Sequence, residues 1–490
     1  MGIGGVLKNL VTKGPAQTLE IRAQRKEAER KRAEAKAKAE EAKRAAELKK
    51  ARGEALMKKL IDCCADRINS DITLSLGEIE SLENELKTEH KKQYKAYKKQ
   101  LQAFYFKEVL PARYARLASR PVKDKVVFME KNGPNSAPNR LISNTLKKQG
   151  KYQVIKMGLD RDGRTRIGYF ENCVKYVEEI ADAKAVFISS GNDVLSCFDL
   201  RYETKLIQLW HGLGMFKKCG YSTVDSKGFG SSAEKRKEYN TYRNYSYVCL
   251  PSMEQAWTFE DSMHIPVDSG ILVPVGVSRT DEFFDPNFAS SAKRKLLEKF
   301  PQIGDRKIIF YAPTYRGRVS SAKAPKALDI NAMAQALSDD YVLLIKHHGF
   351  AAKDRPPIPE HLENDFAFDM NANSFLNIER LLAIADICIT DYSSIGFEYA
   401  LLERPIAFFA FDLEDYLDNR GMYWDYDELT PGPICRSTGE LVDYIENIDE
   451  RFDLEEVKAF KEKYVGACDG HSTERTIALI ESDVNPRLTA

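Results

Sequence analysis

Residues 387–411 have the sequence ICITDYSSIGFEYALLERPIAFFAF, and this stretch decides the class of fold. Two short apolar runs, Ile387–Thr390 and Ile406–Phe411, have the length and composition of buried strands. Between them, Ser394–Leu402 has the character of a short helix. A strand, a helix and a second strand in this order predict a β-α-β unit of a parallel sheet. Ligands of such sheets bind beyond the carboxyl ends of the strands, which makes the turn before Ser394 a candidate site.

The same alternation of strands and helices extends to both sides of this unit. The first series of strands and helices starts at Lys125 and a second series starts at Lys307. The boundary between the two halves is predicted near Phe284–Pro301. We therefore predict two doubly wound α/β halves, with a ligand crevice between them. The predicted domains are a charged helical extension at 1–120, a first Rossmann-like domain at 121–285 and a second at 286–490. The other predicted strands are Lys125–Glu130, Tyr152–Met157, Ala185–Ser189, Lys205–Trp210, Tyr247–Leu250, Ile271–Val273, Lys307–Ala312 and Tyr341–Lys346, and the clearest helices are Arg140–Gly150, Tyr169–Ile180, Asn331–Leu337 and Ser374–Ala385.

The composition excludes several classes of protein. With 490 residues, of which 43% are hydrophobic, the chain can bury a large core, and it is not a disordered or collagen-like protein. No apolar run approaches the roughly 18–20 residues needed to cross a bilayer. We expect no signal peptide, because Gly2–Lys13 lacks a long apolar stretch. Nine cysteines without a CxxC pair indicate reduced thiols, not a disulfide framework or a zinc site.

The charge is divided unequally along the chain. The formal net charge is +1, but residues 1–60 carry a net +9 and the remainder a net −8. Residues 17–60 consist mainly of Ala, Glu, Lys and Arg, which predicts a helix. Two interpretations stay open: a solvated single helix, or a basic helix on an anionic membrane, with Ile3, Leu7 and Leu10 as a shallow anchor. Because residues 61–490 are acidic overall, we do not expect a uniform nucleic-acid-binding surface.

A histidine follows one of the predicted strands of the first half. His211, in Leu209-Trp210-His211-Gly212, stands at a strand terminus that opens into the crevice. Imidazole has an ordinary pKa near 6.5, which suits a general base, although a single histidine is more often structural. Lys217 and Lys218 follow in the same loop, either beside an anionic substrate or as a solvated pair.

Three further motifs end strands of the second half. Thr314 and Arg316, in YAPTYRG (311–317), offer a hydroxyl and a guanidinium group to phosphate oxygens. In Lys346-His347-His348-Gly349 a cation and two imidazoles come together, and we prefer phosphate binding over metal binding because neighbouring side chains in extended chain point apart.

The third motif is Thr390–Gly396, the turn before the predicted helix. Ser393 or Ser394 is expected to cap that helix, where backbone N–H groups and hydroxyls form an anion site, although an ordinary cap has the same sequence. Glu398, one turn further on, is a candidate ligand of ribose hydroxyls or an exposed helix carboxylate.

Taken together, these motifs resemble the CDP-glycerol glycerophosphotransferase family, the teichoic-acid primases and polymerases. The resemblance covers roughly residues 125–480 and includes DLEDYLDNRGMYWD (412–425), with Arg420 as a substrate-binding candidate. It implies a GT-B-like pair of Rossmann domains, the first for the acceptor and the second for a CDP-linked donor. It also implies that His211 is the base and His348 a second essential histidine. Gly349 replaces the proline common in the family, and the first 120 residues do not match.

The resemblance implies transfer of glycerol phosphate or ribitol phosphate from a CDP-alditol to a hydroxyl of a lipid-linked glycan or polymer, with release of CMP. The expected place is the cytoplasmic face of the cell membrane, with residues 1–60 on the anionic surface. No cofactor or metal is expected. Asp160-Arg161-Asp162 has the DxD pattern of metal-dependent glycosyltransferases, but we interpret it as an acidic pair in a turn, because Gly163 follows it and the nucleotide motifs lie far downstream. Two alternatives stay open: a GT-B nucleotide-sugar glycosyltransferase acting on a cell-surface glycan, and a non-catalytic scaffold built on the charged helix.

Overall fold

The computed structural model describes residues 15–68, 72–130, 137–159, 165–224, 232–318, 321–351 and 353–487. It divides into two compact units, one formed by Met1–Tyr105 with Arg161–Glu171 and the other by Phe106–Asp160 with Asn172–Ala490, each where described. The predicted anchor at Ile3, Leu7 and Leu10 and the acidic pair Asp160 and Asp162 lie outside the described residues.

Three helices dominate the first unit. They are α1 (Pro15–Ile68), α2 (Leu76–Glu89) and α3 (Lys91–Phe104), so the helix predicted over 17–60 is present and longer than expected. The described side chains of α1 are mostly exposed as far as Arg52, and burial begins at Gly53. A methyl group at Gly53 would lie 2.9 Å from Nδ1 of His90, so the small residue lets α1 pack closely there. The N-terminal part of α1 is therefore solvated, because it has no apolar face to bury.

The described part of the second unit contains two parallel sheets of six strands. In the first sheet the order is β2-β1-β3-β4-β5-β6, and in the second it is β12-β11-β10-β7-β8-β9. Every pairing is parallel, as expected from helices that cross between strands. The strands are β1 (Lys123–Glu130), β2 (Gln153–Gly158), β3 (Ala183–Ile188), β4 (Lys205–Gln208), β5 (Tyr247–Cys249), β6 (Leu272–Val273), β7 (Lys307–Tyr311), β8 (Tyr341–Ile345), β9 (Ala367–Asp369), β10 (Ile387–Thr390), β11 (Ile406–Phe409) and β12 (Ile434–Cys435).

Helices cover these sheets, and the core lies between the two layers. Buried aliphatic and aromatic side chains of strands and helices form one cluster on each face of the second sheet, and a further cluster lies on a face of the first sheet. The helices are α4 (Leu110–Ala118), α5 (Ala137–Gln149), α6 (Arg166–Ile180), α7 (Ala233–Glu238), α8 (Ala256–Met263), α9 (Pro286–Lys299), α10 (Ile330–Leu337), α11 (Ile378–Ile384), α12 (Ile395–Ala400), α13 (Leu413–Arg420), α14 (Thr438–Glu446), α15 (Ile448–Arg451), α16 (Leu454–Val465) and α17 (Ser472–Ala478).

The predicted β-α-β unit at 387–411 is confirmed, with β10 and β11 paired in parallel. Its helix, α12, has only six residues instead of the nine predicted, because the chain turns at Leu401–Glu403 before Pro405. Strands β9 and β12 were not predicted, since two or three residues carry no readable period.

The C-terminal segment corrects the predicted domain boundary at 286. Ile480 belongs to the core cluster of the first sheet, and Tyr247 in β5 donates to the carbonyl of Val484 over 2.6 Å. Lys205 in β4 donates to the carbonyl of Ile480 over 3.3 Å. The last described residues therefore complete the first domain, and 286–490 is not one continuous domain. The extension is also shorter than 1–120, since the first unit ends at Tyr105 apart from Arg161–Glu171.

Among the described residues, no helix combines the length and the apolar character that a membrane span requires.

Candidate active site

A cleft of about 520 Å³ lies where the carboxyl ends of strands from both sheets come together. Apart from Ile378 at the start of α11, its lining comes from the loop after β4 and from the loops after β7, β8 and β10. The sheet topology therefore brings together motifs that are more than 180 positions apart in the sequence. Seven of the eleven predicted site residues line this cleft: His211, Lys217, Thr314, Lys346, His348, Ser393 and Ser394.

A strained turn presents His211. The preceding Trp210 has a φ of +58°, a left-handed conformation that is rare for a bulky residue. Its backbone N–H donates to Oε1 of buried Gln208 over 2.9 Å, and its ring contacts Phe259 at 5.5 Å between centroids. These contacts hold the turn, and His211 is left exposed toward the cleft. Strained backbone of this kind is concentrated at functional sites.

The surroundings of His211 favour its neutral form. Desolvation by the cleft walls lowers the pKa of His211, and the positive charge of Arg279 lowers it further. A hydrogen bond with the backbone of Ser189 acts in the opposite direction but does not outweigh them. A neutral imidazole can accept a proton, so this ring is suited to general-base chemistry.

The strand-end cluster at β8 separates its two histidines, as expected for neighbours in extended chain. His347 is only 5% exposed, and burial lowers its pKa to about 4. His348 is exposed and packs against the ring of Tyr315 at 4.9 Å. The backbone N–H of Phe350 donates to Nδ1 of His348 over 3.2 Å, so the neutral ring carries its hydrogen on Nε2 and can donate it. Burial and the nearby charge of Lys217 lower the pKa of His348.

Cations and hydroxyl groups accompany His348 in the cleft. Lys346 is half-buried, and its ammonium group donates to the carbonyl of Met370 over 2.9 Å, while burial lowers its pKa. The hydroxyl of buried Thr314 has no hydrogen-bond partner among the described residues. A buried polar atom without a partner is costly, which is consistent with a position prepared for a ligand.

The serine turn brings the two domains into contact. Oγ of Ser393 accepts from the backbone N–H of Ile395 over 3.3 Å, so Ser393 caps α12, whereas the side chain of Ser394 makes no capping bond. A methyl group placed on Gly212 would lie 3.2 Å from Oγ of Ser394. The glycine after His211 therefore allows the Ser394 hydroxyl to sit beside the histidine loop.

Comparison with known proteins places this site in a family. The family profile described as CDP-glycerol:poly(glycerophosphate) glycerophosphotransferase matches residues 113–482. The chain belongs to this family. It is thus a member of a family of transferases, and the resemblance inferred from the motifs is confirmed.

Curated relatives share this ancestry over different lengths. The teichoic acid poly(ribitol-phosphate) polymerase of Bacillus spizizenii is 33% identical over 299 residues, which are 61% of this chain and 46% of that protein. The teichoic acid ribitol-phosphate polymerase TarL of Staphylococcus aureus is 28% identical over 455 residues, 88% of this chain and 76% of that protein. The chain thus spans about half the length of the first relative.

Solved structures support the fold. The wall teichoic acid polymerase TagF matches 79% of this chain and 98% of that chain, with a TM-score of 0.61 and 21% identity. A likeness at this identity shows the fold alone, and it agrees with the GT-B-like pair of parallel-sheet domains predicted from the sequence.

In this family member Arg316 does not extend a free charge into the cleft. Its guanidinium group pairs with Asp391 at 3.0 Å and with Asp412 at 2.6 Å, and it packs against the ring of Tyr392. Asp391 in turn accepts from the backbone N–H of Thr314 over 2.8 Å. We therefore correct the prediction: Arg316 orders the loop that carries Thr314, because two carboxylates already compensate its charge.

Glu398 also needs a correction. It is 4% exposed, and both of its oxygens accept from Arg279 over 2.7 and 2.5 Å. An acid engaged in this way in the interior is neither an exposed helix carboxylate nor available to ribose hydroxyls. The sequence analysis missed Arg279, whose only signal was a basic residue after an apolar strand, in Val277-Ser278-Arg279.

Two other predicted residues do not contribute to the cleft as described. Lys218 is exposed and does not line it, and its backbone N–H donates to the carbonyl of Gly421 over 3.2 Å. The side chain of Arg420 lies outside the described residues, so its role stays a prediction. Within the described ranges, no group of three or more His, Cys, Asp or Glu side chains is arranged to hold a metal ion.

Proposed function

We propose that this chain transfers glycerol phosphate or ribitol phosphate from a CDP-alditol to a hydroxyl group of a lipid-linked acceptor, and that CMP is released. The product is a teichoic acid or a related cell-surface polymer. Membership of the family and the names of relatives such as the ribitol-phosphate polymerases support this choice of substrate.

One observation carries the proposal. A neutral imidazole from the first domain, His211, lines the same cleft as Lys346, His348 and the hydroxyl-bearing Thr314 and Ser394 of the second domain. Proton acceptance and stabilisation of phosphate charge are the two tasks that an uncharged nucleophile and a diphosphate donor require. This division supports our assignment of the acceptor to the first domain and of the donor to the second.

The reaction proceeds as an in-line displacement. The acceptor hydroxyl attacks the β-phosphorus of the CDP-alditol, and its proton passes to His211 as the new P–O bond forms. The bond between the β-phosphorus and the bridging oxygen breaks, and CMP leaves with that oxygen. A phosphodiester between acceptor and alditol remains, and the proton on His211 returns to solvent.

The second domain stabilises the negative charge that spreads over the phosphate oxygens. Lys346 supplies a positive charge, and Nε2–H of His348 and the hydroxyls of Thr314 and Ser394 supply hydrogen bonds. Ser393, which caps α12, gives its loop a defined shape. Because α12 has only six residues, we ascribe less to its dipole than to these side chains.

The charged helix gives the enzyme a means to approach its acceptor. The solvated part of α1 lies within the basic stretch 1–60, which suits the anionic surface of a membrane that holds a lipid-linked acceptor. We propose peripheral attachment at the cytoplasmic face of the cell membrane, where CDP-alditols are present.

The test compares three donors and identifies the products by their masses. The protein is incubated with a lipid-linked acceptor and CDP-glycerol, CDP-ribitol or a UDP-sugar, and the products are identified by mass spectrometry. We expect an acceptor enlarged by an alditol phosphate together with CMP. Formation of a glycoside and a nucleoside diphosphate from the UDP-sugar would show a glycosyltransferase instead. No product from any donor would contradict both.

A further inference from the structure

Arg279 is buried at the junction between the two domains of the second unit. It belongs to the 3₁₀ segment Ser278–Phe284, which follows the last strand of the first sheet and precedes α9. Only 5% of its surface is exposed. Its charge is removed from water, so groups that the fold brings to it must compensate that charge.

Three contacts determine the position of the guanidinium group. It donates to both oxygens of Glu398 over 2.7 and 2.5 Å, and Glu379 lies 3.5 Å away. It also donates to the backbone carbonyl of His211 over 3.3 Å. A planar guanidinium group with a bidentate partner has a defined orientation, which a lysine could not reproduce.

These contacts connect the two walls of the cleft. Glu398 lies on α12, one turn after Ser394, whereas His211 lies on the loop after β4 of the first sheet. Arg279 therefore links the backbone of the imidazole residue to the helix that carries the serine turn. A buried ion pair contributes little net stability, because the loss of hydration offsets the attraction between the charges. A pair that only stabilised the fold would also need no hydrogen bond to the backbone carbonyl of His211.

We propose that Arg279 is a positioning residue for the transfer reaction: through its pair with Glu398, it holds the backbone of His211 in place relative to the Ser393–Ser394 turn. The proposal rests on the proposed function, in which His211 accepts the proton. Arg279 does not touch the substrate. It acts by keeping the proton acceptor and the phosphate-binding turn at a fixed distance and orientation to each other when the cleft is occupied.

The charge of Arg279 has a second consequence. It lowers the pKa of His211, in addition to the effect of desolvation. The hydrogen bond with the Ser189 backbone opposes this effect. Among the described residues, the other basic groups that line the cleft are Lys217, Lys346, His347 and His348. Loss of the Arg279 charge should therefore shift the acidic limb of the activity profile toward higher pH, which a purely structural role would not do.

The experiment uses Arg279→Lys and Arg279→Met in the full chain. We expect kcat to fall about tenfold or more in Arg279→Met and less in Arg279→Lys, because small displacements of a reacting group are costly. The KM for the CDP-alditol should stay within about threefold, since most donor contacts are retained. The acidic limb should move to higher pH in Arg279→Met and stay in place in Arg279→Lys.

A matched control removes a buried ion pair far from the cleft. Lys125 near the start of β1 pairs with Asp182 and is itself 4% exposed, so Lys125→Met should lower the melting temperature and leave kcat unchanged.

A kcat within twofold of wild type and an unmoved acidic limb of the pH–activity profile in both Arg279 variants would overturn the proposal. If circular dichroism shows that Arg279→Met is unfolded, Glu398→Gln replaces it. That variant leaves Arg279 less compensated, so the limb should move to lower pH, and an unmoved limb would overturn the proposal.

A spectroscopic arm separates this proposal from the function on which it rests. The histidine signals are titrated by NMR, and His211 is assigned from the signal missing in His211→Gln. An upward shift of the titration midpoint of His211 in Arg279→Met supports the contact between Arg279 and His211. This holds even if the wild type transfers no alditol phosphate from a CDP-alditol, and in that case the proposed function alone fails. An unshifted midpoint in the folded variant would overturn the role of Arg279.

Discussion

Three histidines near the cleft have different surroundings, and these decide which proton each can hold. His211 is kept neutral by desolvation and by Arg279, so it can accept a proton. His348 accepts at Nδ1 from the backbone and can donate from Nε2. His347 is buried and stays neutral to a low pH. The same residue type therefore provides an acceptor, a donor and a structural group within one site.

The first residue-scale prediction concerns His211→Ala. Because the ring lies on the wall assigned to the acceptor, the variant should lose about 10²–10⁴-fold in kcat and retain its affinity for CDP-alditol. Steady-state rates and calorimetry with the donor measure the two effects. His471→Ala, which changes an exposed histidine that does not line the cleft, is the control. Turnover of His211→Ala within threefold of wild type would remove this residue from the mechanism.

The second residue-scale prediction concerns His347 and acid stability. Its pKa is about 4 in the folded chain and near 6.5 when unfolded, so below pH 6.5 the unfolded chain binds the extra proton. The free energy of unfolding should therefore fall between pH 6.5 and 4, by at most about 1.4 kcal/mol per pH unit from this group. Above pH 6.5 the contribution is fully present.

Thermal unfolding of wild type and His347→Gln at pH 7.5 and 5.0 measures this contribution. The wild type should lose more stability than His347→Gln on acidification. His361→Gln, in which an exposed imidazole is removed, is the matched control. Equal losses for wild type and His347→Gln would show that the buried ring does not provide this acid sensitivity.

At the scale of elements, two short turns build the centre of the cleft. One follows β4 and contains Trp210 and Gly212, and the other follows β10 and contains Ser393 and Ser394. Their close approach depends on the missing side chain of Gly212, because any Cβ there would crowd Ser394. A turn that looks like an ordinary helix cap in the sequence is thus also part of a contact between domains.

The prediction at this scale is that Ser393→Ala combined with Ser394→Ala weakens donor binding. Each hydrogen bond to a charged oxygen contributes about 1.5 kcal/mol or more, so a loss of at least about tenfold in CDP affinity is expected. Calorimetry with CDP measures it. A second pair of adjacent serines, Ser290 and Ser291 on α9, gives the control double variant. CDP affinity equal to that of wild type would place the phosphates elsewhere.

At the scale of the whole molecule, a basic exposed helix is joined to an α/β body that carries the candidate chemistry. The structure refines where this helix can be cut. Gly53 and Leu60 are buried, and Arg52 pairs with Glu85 on α2, so removal of all of 1–60 would damage the first unit. The described residues before Arg52 are mostly exposed, and a shorter truncation spares the packing.

The prediction is that removal of residues 1–45 reduces binding to anionic liposomes and activity on a membrane-embedded acceptor. Each Lys or Arg near an anionic membrane surface contributes up to about 1 kcal/mol to the free energy of membrane binding, and salt screens this attraction. Activity on a short soluble acceptor should be retained, because no described residue before Trp210 lines the cleft. Co-sedimentation at low and high salt measures binding. Equal co-sedimentation of both forms at low salt would make the helix a spacer or a partner-binding element.

The sequence by itself determined the local pattern. Alternation of strands and helices, the motifs at strand ends and the charged helix all depend on residues that are close in the chain, and the structure and the family profile agree with them. Parallel strands then bring their carboxyl ends to one edge, which is why motifs from both halves could be expected in one cleft. Seven of the eleven candidates line that cleft, and their roles stay predictions.

Only the tertiary structure decided which partners the charged side chains take. Arg279 meets Glu398 across 119 positions, and Arg316 meets Asp412 across 96, so two predicted ligand contacts became internal pairs. The return of the C-terminal segment to the first sheet is of the same kind. A charge in a loop has no preferred partner in the sequence, because its environment depends on burial and on distant groups that only folding brings together.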